Sequence, residues 1–131
     1  MSKNIIYKTK VYYEDTDAGG IVYYANYLKY FERARTEMIY QKLDLNHQKL
    51  KREFNIIFVV KSCFIKYLKP AKFEDELVIL TKIIKKSAVR LNLLQEVKRG
   101  EEILVTAEVE LATIDAAGSV KKIPENLISK I

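Results

Sequence analysis

One long amphipathic helix, set among segments that alternate with the period of a β-strand, constrains this chain more than any other feature. In "NYLKYFERARTEMIYQKL", Asn26 to Leu43, the residues Tyr27, Leu28, Phe31, Ala34, Met38 and Ile39 recur at three- and four-residue spacing. Asn26 stands where an N-cap is expected, and at about 1.5 Å per residue the helix extends roughly 27 Å. Before it, Ile5 to Tyr13 alternates, with Tyr7, Thr9, Val11 and Tyr13 on one face and Lys8, Lys10 and Tyr12 on the other. Asn46 to Phe54 is polar and basic, a short helical or irregular connection. Strands then return in "NIIFVVKSCFIKYL", ended by Lys69-Pro70, and in "DELVILTKII". "AVRLNLLQEVK" sets Val89, Leu91, Leu93 and Val97 on one side, and Arg99-Gly100 reads as a hairpin turn. In the last strand Ile103, Val105, Ala107, Val109 and Leu111 oppose Leu104, Thr106, Glu108, Glu110 and Ala112, before a turn at Asp115–Gly118.

One strand, one helix and four more strands predict an α+β domain in which a curved five-stranded antiparallel sheet wraps the helix. The 131 residues suffice for a single domain, 1–131, and no composition shift marks a linker. Such a sheet leaves an open edge, which dimerisation would extend. No apolar run approaches the roughly 20 residues that span a bilayer, and "MSKNIIYKTK" lacks a signal core, so a cytoplasmic location is expected. The single cysteine, Cys63, excludes an internal disulfide. A formal charge of +6 suits an anionic partner. Scattered lysines and the lack of an aromatic RNA-binding signature argue against nucleic acid.

Between the first strand and the helix lies "EDTDAGG", whose acids and glycines break the alternation. Asp shapes turns, and for an arbitrary loop that reading suffices. This loop, however, leads into the start of the longest helix, where amides lack internal partners and carry partial positive charge. Such amides polarise a carbonyl and stabilise the oxyanion formed on attack, and a carboxylate beside them completes half of an acyl-transfer site. Glu14, Asp15 and Asp17 are the candidates, Gly19 and Gly20 leave room for a ligand, and Tyr13 ends the strand just before the acids. Tyr27 and Tyr30 read as helix-face packing. The lone His47 has no metal-ligand spacing around it, Cys63 reads as a buried strand residue, and neither a nucleophile elbow nor a phosphate loop occurs.

The segment "VYYEDTDAGGIVYYANYLKYFERARTEMI" closely resembles the signature of the YbgC-type acyl-CoA thioesterases, relatives of 4-hydroxybenzoyl-CoA thioesterase with the hotdog fold. The resemblance continues through "FVVKSCFIKYLKPAKFEDEL" to Ile123-Pro124. It implies hydrolysis of acyl-CoA without metal or cofactor, acyl carrier protein as a further partner, and homodimers that assemble into homotetramers. It also implies that Asp17 is the catalytic carboxylate, that the backbone N–H of Tyr24 polarises the carbonyl, and that Tyr13 assists. Where many members have histidine in Tyr-His-Ala-Asn-Tyr, this chain has Tyr24. Lys86, Ser87 and Arg90 are the implied phosphate contacts, acting across a subunit boundary, and Gly20, Val59, Val60 and Lys61 line the substrate. The alternative is a module that binds an acyl thioester or carrier protein without turnover.

Overall fold

The computed structural model describes residues 5–131. Its strands are β1 (Ile5–Lys10), β2 (Ile57–Tyr67), β3 (Glu76–Lys86), β4 (Arg90–Arg99) and β5 (Glu102–Ile114). They form one sheet in the order β1-β3-β4-β5-β2, antiparallel throughout. The helices are α1 (Tyr27–Leu43), α2 (His47–Phe54) and α3 (Glu125–Ile128).

The alternation in the strands selects one face of the sheet for the core. Leu77, Ile79 and Ile83 of β3, Leu91, Leu93 and Val97 of β4, and Val105, Ala107, Val109 and Leu111 of β5 are buried there. Against them α1 buries Tyr27, Tyr30, Phe31, Ala34, Met38, Ile39 and Leu43. Fully burying one such side chain contributes about 1.5–3 kcal/mol, so the helix is held by its apolar stripe rather than by propensity. Asn46 caps α2 by accepting the Lys49 N–H at 2.8 Å.

Four details depart from the pattern in the sequence. β1 stops at Lys10, and Tyr13–Asp15 form a single 3-10 turn, because the Asp15 carboxylate accepts the Tyr12 N–H and curls the chain. Leu28 is exposed, since it lies about 100° round the helix from Tyr27 and outside the buried stripe. Leu104 rather than Ile103 is buried, because the β4–β5 register shifts there and two residues of β5 bulge past one. Cys63 is exposed, because β2 is an edge strand whose outer side meets no other strand among the described residues.

The register also fixes which features share an end of the sheet. Lys10 pairs with Glu76, and the chain just beyond β1 runs beside the segment before β3 through Val11 N–H to Asp75 O and Glu74 N–H to Val11 O. The start of α1 lies at this end, its Tyr27 hydroxyl accepting the Ala71 N–H at 3.1 Å. Lys86, Ser87 and Arg90 lie at the other end, ten residues along β3, or about 30 Å away.

Candidate active site

The loop from Tyr12 to Tyr27 doubles back on itself. Thr16 bridges Val22, the Asp17 N–H donates to Ile21 O, and Gly20 N–H donates to Asp17 O, closing a tight turn. Gly20 occupies the left-handed region at φ 79°, where a side chain is strained. Within the turn Asp17 Oδ1 accepts the Gly19 N–H at 2.8 Å, and the side chain is otherwise open to solvent. The returning limb is pinned to the outgoing one by Tyr23 N–H to Asp15 O at 2.9 Å. Two further bonds fix the returning limb to the segment before β3: Val22 N–H to Ala71 O, and the bridge from Ile21 to Lys72.

Residues Tyr24–Asn26 form a 3-10 turn that runs directly into α1. The Asn26 side chain does not cap the helix, contrary to its position; its Nδ2 donates to Asp15 O at 2.8 Å instead. Among the described residues nothing accepts the Tyr24 N–H. That amide is therefore a free donor at the positive end of the longest helix, on the limb that returns from the Asp17 turn. The Tyr24 carbonyl accepts the Tyr67 hydroxyl at 3.4 Å, and the two rings meet edge to face at 6.2 Å. Beside them opens a cavity of about 270 Å³, walled chiefly by Ile21, Val22, Tyr24, Tyr67, Leu68 and Pro70. A carboxylate, a free amide and an apolar cavity are what acyl transfer to water uses.

Tyr13 stands at the rim, 77% exposed, with its ring stacked on Phe73 at 4.0 Å. Its aromatic face is thereby committed to Phe73, and Gly20 lies in the turn beyond Asp17. Phe73, Tyr67, Asn26 and Arg99 are the residues of this end that periodicity does not reveal. Arg99 holds Asp75 at 2.7 Å and Glu102 at 3.1 Å, tying the β4–β5 hairpin to the segment beneath the loop. Hydrogen bonds donated to Asp75 and Glu102 raise the Arg99 guanidinium above its ordinary value, and those received from Lys69 and Arg99 lower the Glu102 carboxyl.

The remaining sequence candidates are not gathered here within one chain. Lys86 Nζ donates to Ile128 O at 3.2 Å, and Ser87 Oγ accepts the N–H groups of Val89 and Arg90 at 3.3 and 3.1 Å. Arg90 lies 3.6 Å from Glu110. Val59, Val60 and Lys61 lie towards the same far end, since Val60 pairs with Leu111 and Leu111 with Leu91, whereas Tyr67 marks the Tyr24 end. Val60 instead lines a second cavity, of about 230 Å³, with Arg35, Thr36, His47 and Phe58. Burial lowers the His47 imidazole and raises the Cys63 thiol, and no hydrogen bond joins the two. Among the described residues no cluster of three or more His, Cys, Asp and Glu side chains could share a metal ion, and no helix is long and apolar enough to cross a membrane.

Comparison with known proteins adds a second line of observation. The model of the thioesterase-like superfamily matches residues 11–131. The acyl-CoA thioesterase YbgC of Haemophilus influenzae is 40% identical over 109 residues, 83% of this chain and 79% of that protein. The acyl-CoA thioester hydrolase YbgC of Escherichia coli O6:H1 is 40% identical over 107 residues, covering 81% and 78%. A probable thioesterase from Bartonella henselae superposes with a TM-score of 0.86 at 33% identity, over 95% of this chain and all (100%) of that one.

Proposed function

The chain belongs to the thioesterase-like superfamily and is a thioester hydrolase acting on acyl-CoA, and we propose that Asp17 and the backbone amide of Tyr24 carry its chemistry. The observation that supports this most is the Tyr24 N–H, which has no acceptor among the described residues at the start of α1, on the limb that returns from the Asp17 turn. The thioester carbonyl oxygen accepts that N–H, which strengthens as negative charge grows on the oxygen. Asp17 then acts in one of two ways. As nucleophile, its carboxylate bonds to the carbonyl carbon, the C–S bond breaks, the CoA thiolate leaves, and water hydrolyses the mixed anhydride. As general base, it takes a proton from the water that attacks the same carbon. Neither route uses a metal or cofactor. Tyr13 stands at the rim as an auxiliary contact.

Asp17→Asn, nearly isosteric, should lower kcat about 100-fold or more while the fold is retained. Turnover near the native rate in a folded variant would remove Asp17 from the chemistry. Single turnover in heavy-oxygen water separates the routes when water attacks the anhydride at the Asp17 carbon, because label then enters the carboxylate; trapping the anhydride covers attack at the acyl carbon.

The assembly follows from the same reading. β2 has a free outer edge, and an antiparallel copy laid along it would bring Ile57–Val60 of one chain beside Phe64–Tyr67 of the other. Val59, Val60 and Lys61 then line the partner's site rather than their own. The same two-fold relation, with a second pairing through the outer sheet face where Ile6, Phe64 and Ile84 are exposed, gives a tetramer. Lys86, Ser87 and Arg90 are then phosphate contacts for a CoA bound to another chain. An acyl carrier protein offers the same pantetheine thioester and is the alternative donor.

A further inference from the structure

We infer that Asp15 and Asn26 form a clasp that sets the separation between the Asp17 carboxylate and the Tyr24 amide, and that both are positioning residues for the reaction proposed above, on which this inference rests. Three parts of the chain meet at Asp15. Its Oδ2 accepts the N–H of Tyr12, on the outgoing limb, at 2.9 Å. Its carbonyl oxygen accepts the N–H of Tyr23, on the returning limb, at 2.9 Å and Nδ2 of Asn26, at the helix start, at 2.8 Å. Asp17 lies two residues after this junction, and Tyr24 lies between the two residues that donate to it. Asp15 thus ties the outgoing limb, two residues before the carboxylate, directly to the residues on either side of the amide.

Two features of the clasp are costly for a residue that only shapes a loop. Asp15 is 8% exposed and is the one acid among the buried side chains of the described residues. A carboxylate taken out of water is destabilising unless its bonds hold something. Asn26, in turn, occupies the N-cap position and forgoes capping to reach back eleven residues along the chain. The Tyr30 hydroxyl is buried beside the Asp15 carboxylate. Burial first, and then the Asp15 charge, raise the Tyr30 phenol and keep it protonated beside the Asp15 carboxylate. The Asp17 turn is closed by its own local bonds and held at Ile21 and Val22 to the segment before β3, but Asp15 is where the outgoing limb is tied to the helix start itself.

Asn26→Asp is the informative substitution, because it deletes the Nδ2 donor at constant shape while leaving an acid at a helix start, where charge stabilises the fold. With an acyl-CoA that the native chain hydrolyses, kcat should fall about 10- to 100-fold with KM within about threefold, in protein that stays folded at the assay temperature. Asn26→Gln, which keeps an amide donor, should recover part of the rate. Asp15→Asn, which keeps the acceptors but not the charge, should lie between native and Asn26→Asp. A native kcat in Asn26→Asp, or a loss expressed only in KM, overturns the clasp. Asp17→Asn, measured alongside, separates the two readings: full activity there defeats the proposed chemistry, whereas an inactive Asp17→Asn beside a fully active Asn26→Asp defeats the clasp alone.

Discussion

At Gly19 the question is space rather than backbone freedom. A Cβ there would come within 3.2 Å of Asp17 Oδ1, the oxygen that accepts the Gly19 N–H. Gly19→Ala should therefore push the carboxylate from its resting position and lower kcat by about tenfold, by the sensitivity of reaction rates to small misplacements. Its φ is not in the left-handed region, so the same change restricts the unfolded chain and should leave the melting temperature equal or slightly higher. Activity and stability moving in opposite directions is the result to seek; a parallel loss of both would mean that the turn itself had collapsed. Residues at this scale were unevenly legible. The acids and glycines announced a loop at a helix start because few residue types tolerate that backbone. Asn26 did not announce its tether, because a cap and a tether are served by the same side chain, and only the fold shows which one it makes.

Among the elements, β4 has the least expected interior. Its inward positions read Leu91, Leu93 and Val97, but between them stands Gln95, with no exposure. Gln95 Nε2 donates to Thr81 Oγ1 at 2.9 Å and to Phe31 O at 3.1 Å, and its Oε1 accepts Arg35 Nη1 at 3.1 Å. One amide thereby links β3, β4 and α1 and holds an arginine at the wall of the Val60 cavity. Gln95→Leu fits the volume but strands the Thr81 hydroxyl and part of the Arg35 guanidinium, and should cost about 1–3 kcal/mol in denaturant unfolding. Destabilisation under about 0.5 kcal/mol would mean that water reaches both groups. Apolar periodicity located β4 and its inner face without this residue, because the pattern survives one polar member. What it could not supply is the partner on α1, which depends on how helix and sheet cross.

For the whole molecule, the central matter is that the proposed site spans two chains. Chains carrying Asp17→Asn and chains carrying Val60→Arg should each be inactive as uniform dimers, the second because the arginine intrudes on the partner's cavity. Mixed and allowed to exchange, they form heterodimers with one intact site, and about a quarter of native activity should return at equal ratio. Failure to recover activity, with exchange demonstrated, would confine the site to one chain. The fold class, the five strands and the long helix were present in the hydrophobic pattern; α2 was left between a helix and an irregular connection, and the one-turn α3 did not show. The strand order was not, since β1 beside β3 and β2 beside β5 are choices among pairings that satisfy the same alternation. That order has a consequence for how the protein comes into being. The meander β3–β4–β5 closes through neighbouring hairpins, but Lys10 waits for Glu76 and Ile57 waits for Ile114. During synthesis, both early strands and the helix between them leave the ribosome before anything exists for them to pair with. Until β5 emerges, β2 has two open edges, and the strand proposed to join finished subunits is the one the nascent chain must longest keep from joining the wrong neighbour.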